Sequence, residues 1–404
     1  MKTISPAATS PRISRRLFQL SIGVFAIGGF ITALVSLLVP RLTALYGMDY
    51  SHALLVQLAF HLSYLLFAVP IGRIITRRGY MRSATLGLAI MVVATAILVV
   101  ANALRLFPLL LTALLLLSCG ITFLQIASNT VVAVVGAAEG AAVRLNLLQG
   151  CNSVGTIAAP LVGATFLIEK RGADGGPPFL LALVILIGLT LAYVRNRRLL
   201  DTASAARSST SRLDLRSVLA DRRVMGGMVA IFAYVGAEVT IGALLANYLM
   251  QPSALNARPA LAARMLSLYW GGAMIGRFAG GVLMRHVSAA KPLLAAALLA
   301  ALLTSVGAGV GGVIGSVALI AVGLCNSIMY PTIYVLALPA EAERATPAAT
   351  VLCMAVVGGA VIPTLCGQIA DRAGLGLSLL PTAVCYLAVA AFALSCGKRD
   401  AKSA

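Results

Sequence analysis

Charge is what this chain has least of. Only 11% of its 404 residues are Asp, Glu, Lys or Arg, while 60% are hydrophobic, and the mean hydropathy is +0.98. A soluble domain carries about 25% charged residues, so a water-facing surface cannot be assembled from this composition. Acid is the scarcest charge, with 12 Asp and Glu against 31 Lys and Arg. Histidine is limited to three residues, His52, His61 and His286, too scattered to form a metal-ligand cluster. No metal or other cofactor is therefore expected. No nucleophile–base pair stands within the apolar runs, which argues against an enzyme. The seven cysteines are odd in number and all fall in apolar stretches, so no disulfide is expected. A net charge of +19 would suit nucleic acid, but the basic residues sit between and beside apolar runs, so the expected partner is a lipid bilayer.

What is abundant is apolar sequence in helix-long runs. A membrane crossing needs about 20 apolar residues, and such runs cover approximately 17–39, 52–76, 81–102, 107–136, 142–168, 178–195, 223–250, 262–286, 290–311, 313–338, 346–369 and 375–396. The first is too long for a signal-peptide core and lacks a clear cleavage site, so it reads as a retained helix. Residues 196–222, which include DTASAARSSTSR, have no such run and read as a polar linker. The expected fold is an all-α membrane protein of twelve transmembrane helices in two six-helix bundles. Its parts would be an N-terminal tail over 1–16, bundles over 17–195 and 223–396, the linker, and a C-terminal tail over 397–404. With both ends on one side, about 23 of the 31 basic residues fall on that side and about 7 on the other, which makes the side of the termini cytoplasmic. A multi-pass protein of the cell inner membrane follows. Nothing demands a protein partner, so a monomer is expected.

The two halves share landmarks. Gly72-Arg73 and Gly276-Arg277 lie 276 − 72 = 204 positions apart. Gly155 and Pro160 correspond to Gly358 and Pro363 at an offset of 203, and Asn129 to Asn326 at 197. Such offsets read as a duplicated six-helix unit, for which solute sites lie between the repeats near the midplane. The Gly-Arg pairs read as structural contacts, Arg277 near the cytoplasmic end of its helix. The Gly and Pro of the fifth and eleventh runs fit either hinges or close packing with a static kink.

Polar residues recur at helical spacing within the runs. Gln57, His61 and Tyr64 share one face, as do Gln125 and Asn129; Asn146, Gln149, Asn152 and Thr156; Tyr234 and Glu238; and Asn326, Tyr330 and Tyr334. Each stripe fits interhelical hydrogen bonding or a wet cavity; five such rows favour the cavity. Glu238, four residues after Tyr234, is the acid placed nearest mid-span. A carboxylate at that depth marks a pathway or a proton-binding site. His61 fits either a proton-linked role or an ordinary hydrogen bond. Amides and phenols both donate and accept hydrogen bonds, and Trp270 offers an apolar ring face, which suits a neutral polyol.

Seven stretches resemble the major facilitator superfamily, and within it the fucose/glucose–galactose proton symporter family. They are QLAFHLSYLLFAVPIGRIITRRGY (57–80), GITFLQIASNT (120–130), RLNLLQGCNSVGTIAAPLVG (144–163), YVGAEVTIGALLANYL (234–249), YWGGAMIGRFAGG (269–281), NSIMYPTIYVLAL (326–338) and VVGGAVIPTLCGQIAD (356–371). The resemblance implies the twelve-helix fold, alternating access and proton-driven entry of a neutral, hexose-like sugar. On that reading the substrate is a small sugar, held by Gln57, His61, Gln125, Asn129, Gln149, Asn152, Asn326 and Tyr330, with Glu238 coupling protons. The chain departs from the family at helix one, where Val35-Ser36 replace its Asn-Asp pair, and after helix two, where Thr76 replaces an acid. A uniporter, or an exporter of another small solute, is the alternative on the same fold.

Overall fold

The computed structural model describes residues 11–134, 141–169, 176–197, 218–284, 287–339 and 342–403. The linker expected at 196–222 lies mostly outside the described residues, as do the side chains of Asn129 and Asn146. Among the described residues the chain forms twelve helical spans. These are α1 (Pro11–Tyr46), α2 (Leu55–Arg78, preceded by a short turn Tyr50–Ala53), α3 (Tyr80–Ala103), α4 (Phe107–Val134), α5 (Ala141–Gly163) and α6 (Pro177–Arg195). The second set is α7 (Arg222–Met250), α8 (Pro259–Leu283), α9 (Ala290–Val310), α10 (Gly312–Asn326 and Met329–Ala337), α11 (Ala342–Met354 and Gly358–Ala373, joined by the 3-10 turn Ala355–Val357) and α12 (Leu380–Ser403). Eleven stretches are long and apolar enough to cross a membrane. The span outside that set is α8, whose glycines and Arg277 lower its hydropathy. The chain is a multi-pass membrane protein.

Two spans run past their expected ends. Pro40-Arg41 reads as the close of the first span, yet α1 continues to Tyr46 with Pro40 inside it. The Thr43 hydroxyl donates to the carbonyls of Val39 and Pro40 at 3.2 Å, local satisfaction of the kind that lets a membrane helix tolerate proline. Arg41 is buried rather than emerging into a loop. At the other end α12 continues to Ser403, beyond the expected limit of 396.

Packing follows one scheme, used twice. In the first set α1 lies on α5 and α2 on α4; in the second, α7 lies on α11 and α8 on α10. The sets meet through α2 on α11 and, reciprocally, α8 on α5. Burial separates the roles: 72% of the α7 span is buried against 28% of α6. Thus α7 is central and α6 faces lipid.

Glycine makes the close approaches, because polar-poor membrane helices associate by backbone contact at small residues. A Cβ on Gly155 of α5 would overlap the Ala26 carbonyl oxygen of α1, and one on Gly358 of α11 would overlap the Phe232 carbonyl oxygen of α7. These two glycines occupy matching positions in the repeat, and both are packing points. The Gly72/Gly276 pair is unequal. A Cβ on Gly276 would overlap Ser327 of α10, whereas one on Gly72 would meet only Thr350 Oγ1, at 3.8 Å. Gly155→Ala should lower the thermal unfolding midpoint by an amount matching about 1–3 kcal/mol of overpacking. Gly188→Ala, with nothing within 4 Å of the added carbon, should not lower it and should raise it slightly, as alanine does in a helix interior.

Candidate functional site

Counting spans from the start of α1, the α2–α3 turn and the end of α12 fall on the side where α1 begins, here the terminus side, and the α1–α2 turn, which meets the end of α11, falls on the far side. Between them, enclosed by both sets of helices, is a cavity of about 200 Å³. Drug-sized sites run to about 300–1,000 Å³, so this one suits a single small solute. Its wall takes Gly28, Thr32 and Ser36 from α1; Gln57, His61 and Tyr64 from α2; Gln125 from α4; and Gln149, Asn152 and Thr156 from α5. The second set supplies Tyr234 and Glu238 from α7, Trp270 and Arg277 from α8, and Tyr330 from α10.

The helix stripes explain most of this wall. Gln57, His61 and Tyr64 follow one another along α2, and the His61 ring nitrogen Nδ1 lies 3.0 Å from the Gln57 carbonyl oxygen. His61 also marks where the sets touch, because a Cβ on Gly359 of α11 would press on its ring at 2.6 Å. On α5, Asn152 Nδ2 donates to the Phe25 carbonyl of α1 at 3.1 Å. One side chain thus ties two helices while facing the cavity. Ser36, where the resembled family carries its helix-one acid, sits in the wall as a neutral hydroxyl bonded to the Thr32 carbonyl at 3.4 Å.

Three placements differ from the expectations. Asn326 is not in the wall. It is 1% exposed, its Nδ2 donates to Tyr269 Oη at 2.7 Å, and its carbonyl accepts from Tyr234 Oη at 3.1 Å. It therefore braces α7, α8 and α10. Tyr334, expected to share its stripe, stacks on Tyr330 with ring centroids 6.2 Å apart. Arg277, expected as a contact near the helix end, reaches into the cavity wall. Its guanidinium donates to the Gln149 carbonyl of α5 at 3.0 Å and to the Ser153 hydroxyl, and it lies within electrostatic reach of Glu238. The cavity wall thus carries one carboxylate and one guanidinium, which offset each other. Arg73, its counterpart in the repeat, is exposed. Trp270 was legible only as a ring face. Its indole Nε1 and the Gln57 amide nitrogen are buried donors with no acceptor among the described residues. The Gly28–Thr32–Ser36 row of α1 obeys the same four-residue spacing as the other stripes.

On the far side the two sets are joined by polar contacts. The Asp371 carboxylate of α11 accepts from the Tyr50 and Ser51 backbone N–H groups at 2.7 and 2.8 Å and from the Ser51 hydroxyl. It caps the start of the Tyr50–Ala53 turn, where unpaired N–H groups and the helix dipole favour an anion. Asn247 Nδ2 of α7 donates to Thr43 Oγ1 of α1 at 2.6 Å. Within the turn, the backbone and ring of His52 hydrogen-bond Asp49 and hold its carboxyl below the usual carboxylate range. That local cap therefore persists as pH falls below the ordinary carboxylate pKa and is lost only as pH passes through the lowered one. Asp371→Ala should lower stability by about 1 kcal/mol, as loss of a helix cap does, measured by thermal unfolding in detergent. Asp371→Asn, which keeps an acceptor oxygen, should lose less.

The Major Facilitator Superfamily family model matches residues 20–338. The chain is 33% identical over 381 residues to a protein of Brucella abortus biovar 1 (strain 9-941) named glucose/galactose transporter, covering 92% of each chain. It is 26% identical over 407 residues to the L-fucose-proton symporter of Escherichia coli (strain K12), covering 93% of this chain and 92% of that one. The crystal structure of the transporter FucP in the outward conformation superposes with a TM-score of 0.73 at 24% identity, over 94% of this chain and 98% of that chain. With its doubled helix scheme and central polar cavity, the chain belongs to the major facilitator superfamily, in the family of the fucose and glucose–galactose symporters.

Proposed function

We propose that this protein carries a neutral, hexose-like sugar across the cell inner membrane by alternating access, as a proton symporter. The observation that carries the reading is the cavity wall. Amides and hydroxyls of the first set and aromatic rings of both sets, among apolar side chains such as Val24, Leu124, Val239 and Val356, surround a space sized for one small solute. Two relatives whose names state glucose/galactose and fucose-proton transport support the solute class. Neutrality is argued from the charge balance: Arg277 is engaged with α5 and offset by Glu238, so no net charge is left for an anion.

On this reading Gln57, His61, Gln125, Gln149, Asn152 and Tyr330 contact the sugar. Amide groups give and take hydrogen bonds with hydroxyls, and Tyr330 and Trp270 offer ring faces. Gln57 Nε2 and Trp270 Nε1, as donors in want of acceptors, meet hydroxyl or ring oxygens. Asn129, whose side chain lies outside the described residues, is assigned to the sugar by the family resemblance. Glu238 carries the proton, because Ser36 cannot. The termini are cytoplasmic by the distribution of basic residues, so the Asp371 and Asn247 contacts close the outer face. The protein works as a monomer of two bundles, 17–195 and 223–396, that rock about the cavity. Each cycle must break the outer contacts to admit sugar. A uniport reading is favoured by one observation, the missing helix-one acid at Ser36.

In proteoliposomes, Glu238→Gln should abolish accumulation of labelled glucose, galactose or fucose under an inward proton gradient while retaining exchange. Loss of both together would remove Glu238 from the coupling role, and gradient-independent uptake by the wild type would favour uniport. A Thr43→Cys/Asn247→Cys pair, oxidised, should reduce uptake at least about tenfold, with recovery on reduction; undiminished uptake would show that the far-side contacts need not part.

A further inference from the structure

One hydroxyl of the second set has two acceptors within reach and a single hydrogen. Tyr234 of α7 is buried, and its Oη donates to the Asn326 carbonyl of α10 at 3.1 Å. The same phenol interacts with the Glu238 side chain, one turn further along α7. A tyrosine has one O–H to give, so it serves one acceptor at a time. Here it serves the carbonyl.

That carbonyl sits at a joint. Asn326 is the last residue of the first half of α10, and the second half begins at Met329. Pro331 accounts for the break, because it has no N–H to offer the Ser327 carbonyl four residues before it. Just beyond the joint, Tyr330 lines the cavity and packs against the Tyr234 ring with centroids 6.5 Å apart. Tyr234 therefore touches the carboxyl, the joint and a cavity-facing ring. The other donors near Glu238 are engaged. Arg277 binds α5, and Tyr269 Oη donates to the Glu238 backbone carbonyl at 3.4 Å. Among the described residues, the remaining titratable groups facing this region are Tyr386 from α12, Tyr330 from α10 and, across the cavity, His61 and Tyr64 from α2; α11 faces the cavity with Val356.

A protonated Glu238 carries its own O–H and leaves Tyr234 on the carbonyl. The ionised carboxylate only accepts, and a bond to it is about twice as strong as one between neutral groups, so it takes the phenol's hydrogen. We infer that Tyr234 is the positioning residue that couples proton to sugar: its hydroxyl passes from the Asn326 carbonyl to Glu238 when Glu238 is ionised, which frees the α10 joint and displaces Tyr330 in the cavity wall. The inference rests on the reading of Glu238 as proton carrier and adds the route by which its charge reaches the sugar.

The test uses the full-length protein, whose only tryptophan, Trp270, lines the cavity and reports bound glucose, galactose or fucose by fluorescence. The wild type should bind sugar at least about fivefold more tightly at low pH than at high pH, the lower end of ordinary coupling between sites. Glu238→Gln should bind with one affinity throughout. Tyr234→Phe, which keeps the ring, should show less than about a twofold dependence on pH. Tyr269→Phe, which removes the other phenol of the Asn326 brace, should keep the wild-type dependence. In sugar-free protein at one alkaline pH, the Ser327–Tyr330 amides should exchange hydrogen at least about fivefold more slowly in Glu238→Gln than in the wild type, a comparison that needs no change at Tyr234. A dependence that survives in Tyr234→Phe but not in Glu238→Gln would overturn the switch and leave Glu238 as carrier. Loss of the dependence in Tyr269→Phe, or equal exchange at the joint, would do the same. A dependence absent from the wild type, or surviving in Glu238→Gln, would overturn the carrier reading and the switch with it.

Discussion

The hydrocarbon core offers no water to unpaired polar groups, and that single constraint organises this chain. Each backbone group must be satisfied within its own helix, and each side-chain donor or acceptor must find a partner or a wet space. The chain meets the constraint in three ways. Serines and threonines fold back on carbonyls of their own helix, as Thr43 does around Pro40. Asn326, Tyr234 and Tyr269 satisfy one another across helices. The remaining polar rows converge on one cavity between the two sets. Glycines make this possible, because Gly155 and Gly358 let α5 and α11 sit against the backbones of α1 and α7.

Symmetry gives the cavity its place, and departures from symmetry give it its chemistry. The α2–α11 and α5–α8 contacts are the same contact with the sets exchanged. The first set contributes mostly amides and hydroxyls, whereas the carboxylate, the guanidinium and the indole come from α7 and α8 of the second. Glu238 and Arg277 thus face a neutral, hydrogen-bonding surface across the cavity. The proposed cycle follows from this division: the first set supplies most of the hydrogen-bonding groups, while the second adds ring faces and manages charge.

Much of this was legible in the sequence. The twelve apolar runs, the matched landmarks and the rows of Gln57–His61–Tyr64 and Gln149–Asn152 required only composition and a period of 3.6 residues. What stayed illegible needed a partner helix. A stripe fixes which residues share a face, but not whether that face meets a cavity or a neighbour, so Asn326 could not be told from Gln149. The Gly-Pro landmarks could not be divided between hinge and packing until the facing carbonyls of Ala26 and Phe232 were in view. Arg277 was legible as a structural contact, and it makes one with α5; that it also borders the cavity was not, because a long side chain places its charge well away from its backbone.

The central claim is that sugar in the cavity and a proton on Glu238 move together. Its most direct test is the pH of a weakly buffered suspension of proteoliposomes on addition of glucose, galactose or fucose with no imposed gradient. The account predicts alkalinisation of the medium with the wild type, saturable in sugar, and none with Glu238→Gln. Uptake of the same sugar by the wild type without any change in external pH would contradict it.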